Sequence, residues 1–486
     1  MQSQTKIFSH LVRDYMRRHP VVLGQGTSIA NMLGAMGAAK STSALITDAE
    51  GRLVGIVTEQ DVTRRIALRC RGEEPVADVM SAPVRAVYAD DYLHTAIARM
   101  RQYGWRHMPA TDRDARPLGV IDLNTALAVA AEQTVHLIER ISHEGTLDGL
   151  REVKAAEVEV AGELLADNVP APEIQALLTD INRDIHRRII DARIAGMEAE
   201  GWGKPPVEFA AIIMGSGGRG ENFLYPDQDN GFILADYPDE EHNRIDAWFR
   251  ELAERMCRDL DAVGFPWCKG YVMAVNPLWR KTISQWRQQL AVWGRKHSFV
   301  AVRLSDIFFD FQPLYGRIDM AADLRRAVVD VLRRSPGFLR DVHSHTGDQA
   351  VALGWFGRFI TEKDKPEHRG EINLKHTGTL PLVQNVRMMA LREGIVETPT
   401  LVRIDKLRER DVLGSDEADY LRGAYRHITF LLLRQQIADF KAGRSVGNYV
   451  HPDALSERER DILKDSFHAI EALRKRMHSE MTADVF

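Results

Sequence analysis

The sequence predicts an α/β (α+β) protein in which small mixed sheets are combined with long helical segments. Three observations predict this class. A strand and helix pattern occurs twice near the N-terminus, an apolar strand runs into a glycine-rich loop in the middle of the chain, and the last third has a helical pattern. The 486 residues correspond to about three domains, at roughly 150 residues for each.

The composition excludes several classes of protein. A chain with 44% hydrophobic and 27% charged residues is typical of a folded soluble protein. The net charge of −5 disfavours a dedicated nucleic-acid surface. Three scattered cysteines disfavour a disulfide framework or a thiolate zinc site, and they predict a cytoplasmic location. The first residues lack a signal-peptide pattern and no apolar stretch reaches ~18 residues, so we expect no membrane partner.

Two segments of the N-terminal region, 20–62 and 83–125, are similar to each other at an offset of 63 to 64 residues. Each predicts a strand, an amphipathic helix, two strands joined by a polar turn, and a second helix. Two such copies are expected to pack as one unit. The residues expected to face its core are Ile29, Leu33 and Met36 in the first copy and Leu93, Ile97 and Met100 in the second.

This repeated pattern resembles the tandem CBS pair, and the resemblance covers residues 8–130. It implies that Thr58 and Asp61 contact the ribose and phosphate of AMP or ATP, which would act as an allosteric ligand. A second interpretation stays open, because Thr58 followed three residues later by Asp61 is also a helix N-terminal cap. In the second copy, Asp122 stands at the position of the Thr58 hydroxyl and Thr125 at the position of the Asp61 carboxylate. This exchange predicts a weak or empty half-site. CBS pairs often associate through their helices, so the resemblance also implies a homodimer.

Residues 131–200 have the composition of a helical linker. Arginines cover much of the last predicted helix, which fits either a solvated basic face or a contact surface for a phosphate or for the CBS pair. The glycines and prolines of residues 201–206 then predict a domain boundary.

A glycine-rich loop follows this boundary. Residues 209–214 form an apolar run of strand length, and the loop 215–221 contains four glycines, which allow backbone amides to turn toward an anion. Asp227 and Asp229 lead into a second apolar strand at 231–234 and alternate to the same face. Their like charges repel each other, and a divalent cation would remove that repulsion.

The order of strand, glycine loop, Asp-x-Asp and strand resembles the nucleotidyltransferase superfamily related to DNA polymerase beta. More closely, residues 180–320 resemble the DUF294 nucleotidyltransferases, relatives of the enzyme that uridylylates the nitrogen regulator PII. The resemblance implies a mixed-sheet core over 201–318 and a third metal-binding carboxylate from a later strand. Asp310 is the candidate, because a charge inside a strand of aromatic residues is costly to bury unless a cation meets it.

The resemblance also assigns roles to individual side chains. Asp227, Asp229 and Asp310 would hold Mg²⁺ or Mn²⁺, and Asp310 would also accept the proton of the attacking hydroxyl. Glu221 fits either an ion pair with Arg219 or a cap of the following segment. The phosphates of a nucleoside triphosphate would be held by loop residues: Gly215, Ser216, Gly217 and Arg219.

Residues 319–486 resemble the helical substrate-binding domain that accompanies this core. Lys375 and Arg387 are the cations expected near the nucleotide, with surface salt bridges as the alternative for each. Gln312 stands where family members usually carry arginine, which leaves the strength of triphosphate binding open. Three tryptophans recur every seven residues, which fits a buried stripe or a stacking platform for a base: Trp279, Trp286 and Trp293.

Together these features predict metal-dependent transfer of a nucleoside monophosphate from a nucleoside triphosphate to an acceptor hydroxyl, with release of pyrophosphate. A protein acceptor, as in PII uridylylation, is the analogy that the resemblance favours. Two alternatives stay open. One is a catalytically silent nucleotide sensor, which Gln312 favours, and the other is transfer to a small molecule.

Overall fold

The computed structural model divides into two compact units, Met1–His136 and Leu137–Phe486. The predicted CBS residues 124–130, with Thr125, and the predicted linker residues 131–145 lie outside the described residues. The described residues are 11–123, 146–294, 307–346, 350–354 and 357–482, apart from positions 19, 40, 67–69, 71, 92, 94–95, 98 and 101–104.

The N-terminal unit contains one small sheet for each copy of the repeat. Its strands are β1 (Arg17–Arg18), β2 (Val21–Gly24), β3 (Ser43–Thr47), β4 (Leu53–Thr58), β5 (Val87–Tyr88), β6 (His107–Thr111) and β7 (Pro117–Asp122). Its described helices are α1 (Val12–Tyr15), α2 (Ile29–Ala38) and α3 (Glu59–Asp61). In both copies a parallel pair is followed by an antiparallel one, β2-β3-β4 and β5-β6-β7, and β1 adds to the edge of β7. The predicted repeat is therefore confirmed.

Helix α2 packs on the first sheet through a face slightly different from the predicted one. Ile29 and Met36 are buried as expected, but Leu33 is 36% exposed and Met32 takes the inner position. The prediction for Leu33 is wrong because residues 29, 32 and 36 share one face of a helix with 3.6 residues per turn. In the second copy all three predicted residues are buried: Leu93, Ile97 and Met100.

The second unit is built on a four-stranded mixed sheet in the order β10-β9-β8-β11. Its strands are β8 (Phe209–Ile213), β9 (Asn230–Leu234), β10 (Arg280–Thr282) and β11 (Gln312–Gly316). β8 is antiparallel to both β9 and β11, while β9 and β10 are parallel. Every residue of β8 and β9 is buried, which explains why both appear in the sequence as apolar runs.

Three chain segments meet at one edge of this sheet. The register pairs Ile213, at the end of β8, with Asn230, at the start of β9, and with Gln312, at the start of β11. The glycine loop after β8 and the chain just before β9 and β11 therefore lie side by side. The loop itself begins as a five-residue helix, α6 (Gly215–Arg219), and ends at Gly220 with φ 75°.

Asp310 lies in a turn just before β11 and not inside a strand, so that part of the prediction is wrong. The amide of Phe311 donates to the Phe308 carbonyl at 3.0 Å and closes this turn. The strand starts two residues after Asp310, which keeps the aspartate at the edge where the other two segments meet.

Helices surround the sheet of the second unit. They are α4 (Leu147–Ala166), α5 (Ala171–Ala199), α7 (His242–Val263), α8 (Ile283–Trp293), α9 (Ile318–Arg333), α10 (Pro336–Thr346), α11 (Leu380–Arg392), α12 (Thr400–Glu409), α13 (Ser415–Lys441) and α14 (Glu457–Thr482). A short antiparallel pair, β12 (Ile372–Asn373) and β13 (Tyr449–Val450), joins two of the C-terminal segments. Among the described helices, none has both the length and the apolar character needed to cross a membrane.

The three regularly spaced tryptophans belong to the core. Trp279 and Trp286 are almost fully buried, and the Trp286 ring stacks on Phe308 with centroids 4.6 Å apart. Trp293 packs edge-on against the same phenylalanine. Trp286 and Trp293 lie on α8, but Trp279 lies in a separate turn before β10, so the three rings are buried as predicted but do not form one helical stripe.

Candidate active site

The glycine loop approaches two aspartates so closely that side chains are excluded at two of its positions. A Cβ atom on Gly215, whose φ is +55°, would overlap the carboxylate of Asp229, and one on Gly218 would overlap the Asp310 carbonyl. The Met214 amide donates to the Asp229 carbonyl at 2.9 Å, which ties the start of the loop to the Asp-x-Asp segment. The Ser216 hydroxyl donates to Asn222 at 3.0 Å.

Helix α5 supports the loop from the other side. The Gln175 side chain donates to the backbone carbonyl of Glu221 at 2.9 Å. The backbone amide of Asn222 donates to the Thr179 hydroxyl at 2.9 Å. The Arg183 side chain donates to the backbone carbonyl of Gly217 at 2.9 Å. This face of the predicted linker is thus a contact surface for the core, and Gly217 is held by it. Sequence periodicity placed the helix, but it could not show that these side chains reach a loop 34 to 46 residues away.

Asp227 and Asp229 come together with a residue that the sequence analysis did not select, Cys268. One ligand atom from each of the three lies within 4.8 Å of the others, which would suit a metal ion. Burial raises the pKa of Asp229 to about 7, and the charge of Asp227 adds to this. The Cys268 thiol donates a hydrogen bond to Asp229. A cysteine alone in the sequence carries no signal of this kind, because the loop that brings it here follows a 22-residue helix.

Two cavities open beside these residues. The larger, of about 130 Å³, is lined by Ser216, Arg219, Asp227, Lys375 and Tyr425 among others, so it lies between the loop and the C-terminal helices. The smaller, of about 10 Å³, is lined by residues that include His186, Ser216, Asp227 and Asp229. A space of that size holds about one water molecule.

His186 is a second residue that the sequence analysis did not assign to the site. Its Nδ1 lies 2.7 Å from the Asn182 carbonyl, one turn back on α5. Because a carbonyl only accepts, Nδ1 carries the proton. Burial lowers the pKa of His186 to about 4, so the ring is neutral at pH 7.

Asp310 lies in a different environment from the one predicted. Its carboxylate is fully buried and meets three guanidinium groups: Arg219 at 2.8 Å, Arg387 at 2.7 Å and Arg403 at 2.7 Å. Asp310 does not belong to the group of metal-donor atoms found among the described residues. Burial alone would raise the pKa of Asp310, but the charges of Arg387, Arg403 and Arg219 outweigh it and hold the pKa well below its ordinary value. Its metal-ligand and proton-acceptor roles stay predictions, and its contacts are those of an ion-pair centre.

The predicted phosphate-binding arginines are engaged within the protein. Arg219 donates to Glu221 at 2.6 Å as well as to Asp310, so Glu221 has the ion-pair role that was one of its two interpretations. Arg387 is buried and bonded to Asp310. Lys375, by contrast, lines the 130 Å³ cavity.

Gln312 is also part of the contact between the core and the C-terminal region. Its amide donates to the Thr398 hydroxyl at 3.0 Å, and this hydroxyl donates to the Gly218 carbonyl at 2.9 Å. The backbone amide of Thr400, two residues after Thr398, donates to the Glu221 carboxylate at 2.6 Å. The residue that departs from the family pattern therefore helps to hold the loop.

In the N-terminal unit, Thr58 and Asp61 form a capping box at the start of α3. The Asp61 amide donates to the Thr58 hydroxyl at 3.3 Å, and the Thr58 amide donates to the Asp61 carboxylate at 3.0 Å. The capping interpretation is therefore correct. Both residues also line a cavity of about 380 Å³ together with Arg65, Ser81 and His107 among others, so the geometry is compatible with a ligand as well.

Comparison with protein-family models identifies the parts of the chain. Residues 12–68 and 76–132 match the CBS domain, 156–299 match "Putative nucleotidyltransferase DUF294", and 336–481 match "Putative nucleotidyltransferase substrate binding domain". The chain thus contains a CBS pair, a region that matches the DUF294 model and a region that matches the model of the accompanying substrate-binding domain. The DUF294 match begins at residue 156, inside the predicted linker, in agreement with the packing of α5 against the core.

Curated relatives resemble only parts of this chain. Homoserine O-acetyltransferase of Methanococcoides burtonii is 29% identical over 111 residues, which is 23% of this chain and 22% of the relative. An uncharacterized 17.7 kDa protein of Acidianus ambivalens is 28% identical over 81 residues, 17% of this chain and 49% of the relative. The chain thus spans less than half the length of each.

Solved structures match about a quarter of the chain. A CBS domain protein from Pyrobaculum aerophilum, complexed with AMP, is 23% identical, with a TM-score of 0.23 over 24% of this chain and 88% of that one. A CBS-domain containing protein from Agrobacterium tumefaciens is 24% identical, with a TM-score of 0.22 over 25% and 98% of the two chains.

We expect Asp310→Asn to reduce the free energy of unfolding by about 3–5 kcal/mol, because it leaves three buried guanidinium groups facing a neutral amide. Asp319→Asn is the control, since it removes an exposed ion pair with Arg317 and should have a much smaller effect. Denaturant unfolding of the three proteins at pH 7 measures the difference.

The difference in unfolding free energy between wild type and Asp310→Asn should decrease at low pH. The pKa of Asp310 lies below its ordinary value, so its contribution is complete above about pH 4 and is lost as the pH falls further. The stabilities of wild type and Asp310→Asn should therefore converge in acid. A constant difference from pH 7 to pH 3 would contradict the ion-pair role.

Proposed function

We propose that the second unit transfers a nucleoside monophosphate from a nucleoside triphosphate to an acceptor hydroxyl. The observation that carries the proposal is the convergence of Asp227 and Asp229 beside a glycine loop that lines a 130 Å³ cavity. Carboxylates next to a glycine-rich backbone loop can bind a cation and phosphate together.

In this proposal each group of residues has a separate task. Asp227 and Asp229 hold Mg²⁺ or Mn²⁺, which supplies neutralisation of the developing charge on the phosphates. Amides of Gly215 and Gly217 and the hydroxyl of Ser216 bind phosphate oxygens. Lys375 supplies a positive charge from the opposite wall of the cavity.

Arg219, which lines the cavity, and Arg387, which is buried, add positive charge while both pair with Asp310. The bond between the α-phosphorus and the acceptor oxygen forms as the bond to the β-phosphate breaks. Pyrophosphate leaves, and the hydroxyl proton passes to solvent or to a nearby base.

We further propose a protein as the acceptor, by analogy with PII uridylylation. The cavity lies between the loop and the helices of the substrate-binding region, where Tyr225 and Phe440 stack with centroids 6.2 Å apart and are each about 40% exposed. Exposed aromatic side chains at a cavity suit a polypeptide partner.

For the CBS pair we propose binding of an adenine nucleotide, AMP or ATP, in the 380 Å³ cavity. Arg65 and Arg85 line it and would attract phosphate, while Thr58 and Asp61 would face the ribose. Regulation of the catalytic unit then requires that the nucleotide bind two arrangements of the protein unequally. A cytoplasmic homodimer joined through the CBS helices completes the proposal.

Labelled nucleoside triphosphates, supplied one at a time with Mg²⁺ or Mn²⁺ in cell extract, test the catalytic proposal. We expect wild type to label an acceptor, and Asp227→Asn/Asp229→Asn to lower the rate by roughly 1,000-fold or more, because several kcal/mol of charge neutralisation are lost. Asp239→Asn/Glu240→Gln is the matched control, since both acids are exposed and remote from the loop in sequence. Equal labelling by wild type and the double aspartate variant would contradict the proposal.

Calorimetric titration with AMP and ATP tests the CBS proposal. We expect Asp61→Ala to weaken binding by about tenfold or more, the value of one hydrogen bond to a charged group. Asp114→Asn, in an exposed turn, should bind as wild type does. Because Asp61 also caps α3, thermal unfolding must show that the variant is folded. Equal heats in Asp61→Ala and wild type would exclude the contact.

A further inference from the structure

We infer that the cation site of the second unit is a mixed site, in which the Cys268 sulfur joins the carboxylates of Asp227 and Asp229 and selects thiophilic divalent cations over Mg²⁺. The inference rests on the proposed cation site but not on the transfer reaction. Its starting point is the 4.8 Å group of two carboxylate oxygens and one sulfur.

The chain holds Cys268 in this place by contacts on both sides of Asp229. The backbone amide of Gln228 donates to the Pro266 carbonyl at 3.0 Å. The backbone amide of Asn230 donates to the Val272 carbonyl at 3.1 Å. The loop 266–272 therefore runs alongside the Asp-x-Asp segment. Cys268 is 7% exposed, so its sulfur faces the aspartates and not bulk solvent.

The turn that presents Cys268 includes a residue in an unfavourable conformation. The Tyr271 amide donates to the Cys268 carbonyl at 2.9 Å, and Tyr271 has a φ of 57°. This left-handed region of backbone conformation is unfavourable for a bulky side chain. Such a residue persists only where its surroundings hold it, which indicates that the position of the Cys268 turn is determined by the contacts around it.

A nitrogen donor in the adjoining cavity is the second observation that points to a ligand. His186 is 3% exposed and lines the 10 Å³ cavity together with Asp227 and Asp229. Its Nδ1 is engaged by the Asn182 carbonyl, which leaves Nε2 as a lone-pair donor with no hydrogen-bond partner among the described residues. His186 lies outside the 4.8 Å group, so we assign it a contact with the cation through one bridging water.

This donor set differs from the one that Mg²⁺ prefers. Mg²⁺ favours oxygen ligands in octahedral geometry, whereas Mn²⁺, Co²⁺, Zn²⁺ and Cd²⁺ also accept sulfur and imidazole nitrogen, the later ones most readily. Coordination exchanges the thiol proton for the cation, and the proton goes to solvent. No oxidation is involved.

Titration of the full chain with Cd²⁺, followed by ultraviolet absorption, tests the inference without an activity assay. Wild type should show a thiolate-to-metal charge-transfer band. Cys268→Ser should lose the band, and its ratio of Cd²⁺ to Mg²⁺ affinity should fall by about tenfold or more. Cys70→Ser is the control for the partly exposed thiol of the CBS pair and should keep the band.

A second variant keeps the result interpretable if Cys268→Ser is unstable. Asp227 is exposed, so Asp227→Asn should fold and still weaken Cd²⁺ binding, because a ligand is lost. A band that survives in Cys268→Ser, or Cd²⁺ binding unchanged in Asp227→Asn, would overturn the inference. Cd²⁺ binding through Cys268 in a protein that transfers no nucleotide would support it while rejecting the proposed transfer.

Discussion

The buried carboxylate of Asp310 is the point on which the second unit depends. Its two oxygens meet guanidinium groups from the glycine loop, from α11 and from α12, which lie 91, 77 and 93 residues away in the chain. A buried charge is tolerated only when it is paired. The carboxylate therefore ties the loop to the C-terminal helices, because Arg387 and Arg403 are buried beside it and Arg219 pairs with it as well as with Glu221.

Neighbouring hydrogen bonds make the same connection between the loop and the C-terminal region. Thr398 joins Gln312 to Gly218, and the Thr400 amide reaches Glu221, which itself binds Arg219. The segment that leads into α12 thus contacts the glycine loop at its middle and at its C-terminal end. A displacement of the C-terminal helices would therefore move the glycine loop through these bonds.

Local patterns were enough to predict much of this fold. The apolar runs before and after the loop are strands β8 and β9, and the alternation of Asp227 and Asp229 places them together. The surroundings of Asp310 could not be predicted in the same way. The sequence shows a charge among aromatic residues and requires a cation, but it cannot distinguish a metal ion from three arginines on remote helices.

The positions of Cys268 and His186 beside the aspartates also could not be predicted from the sequence. Neither has a spacing that marks a site, and each reaches the aspartates because of tertiary packing of a loop or a helix that is placed elsewhere in the chain. Leu33 shows the opposite error, in which a plausible periodicity was shifted by one position. Patterns within one element are therefore reliable to about a residue, while convergence of elements has to be observed.

A crystal structure of the protein with Mn²⁺ and a non-hydrolysable nucleoside triphosphate, with manganese located by anomalous scattering, tests the central claim most directly. We expect manganese on Asp227 and Asp229, phosphates against the glycine loop, and Asp310 still held by Arg219, Arg387 and Arg403. Manganese bound away from Asp227 and Asp229, with no phosphate against the glycine loop, would contradict the account.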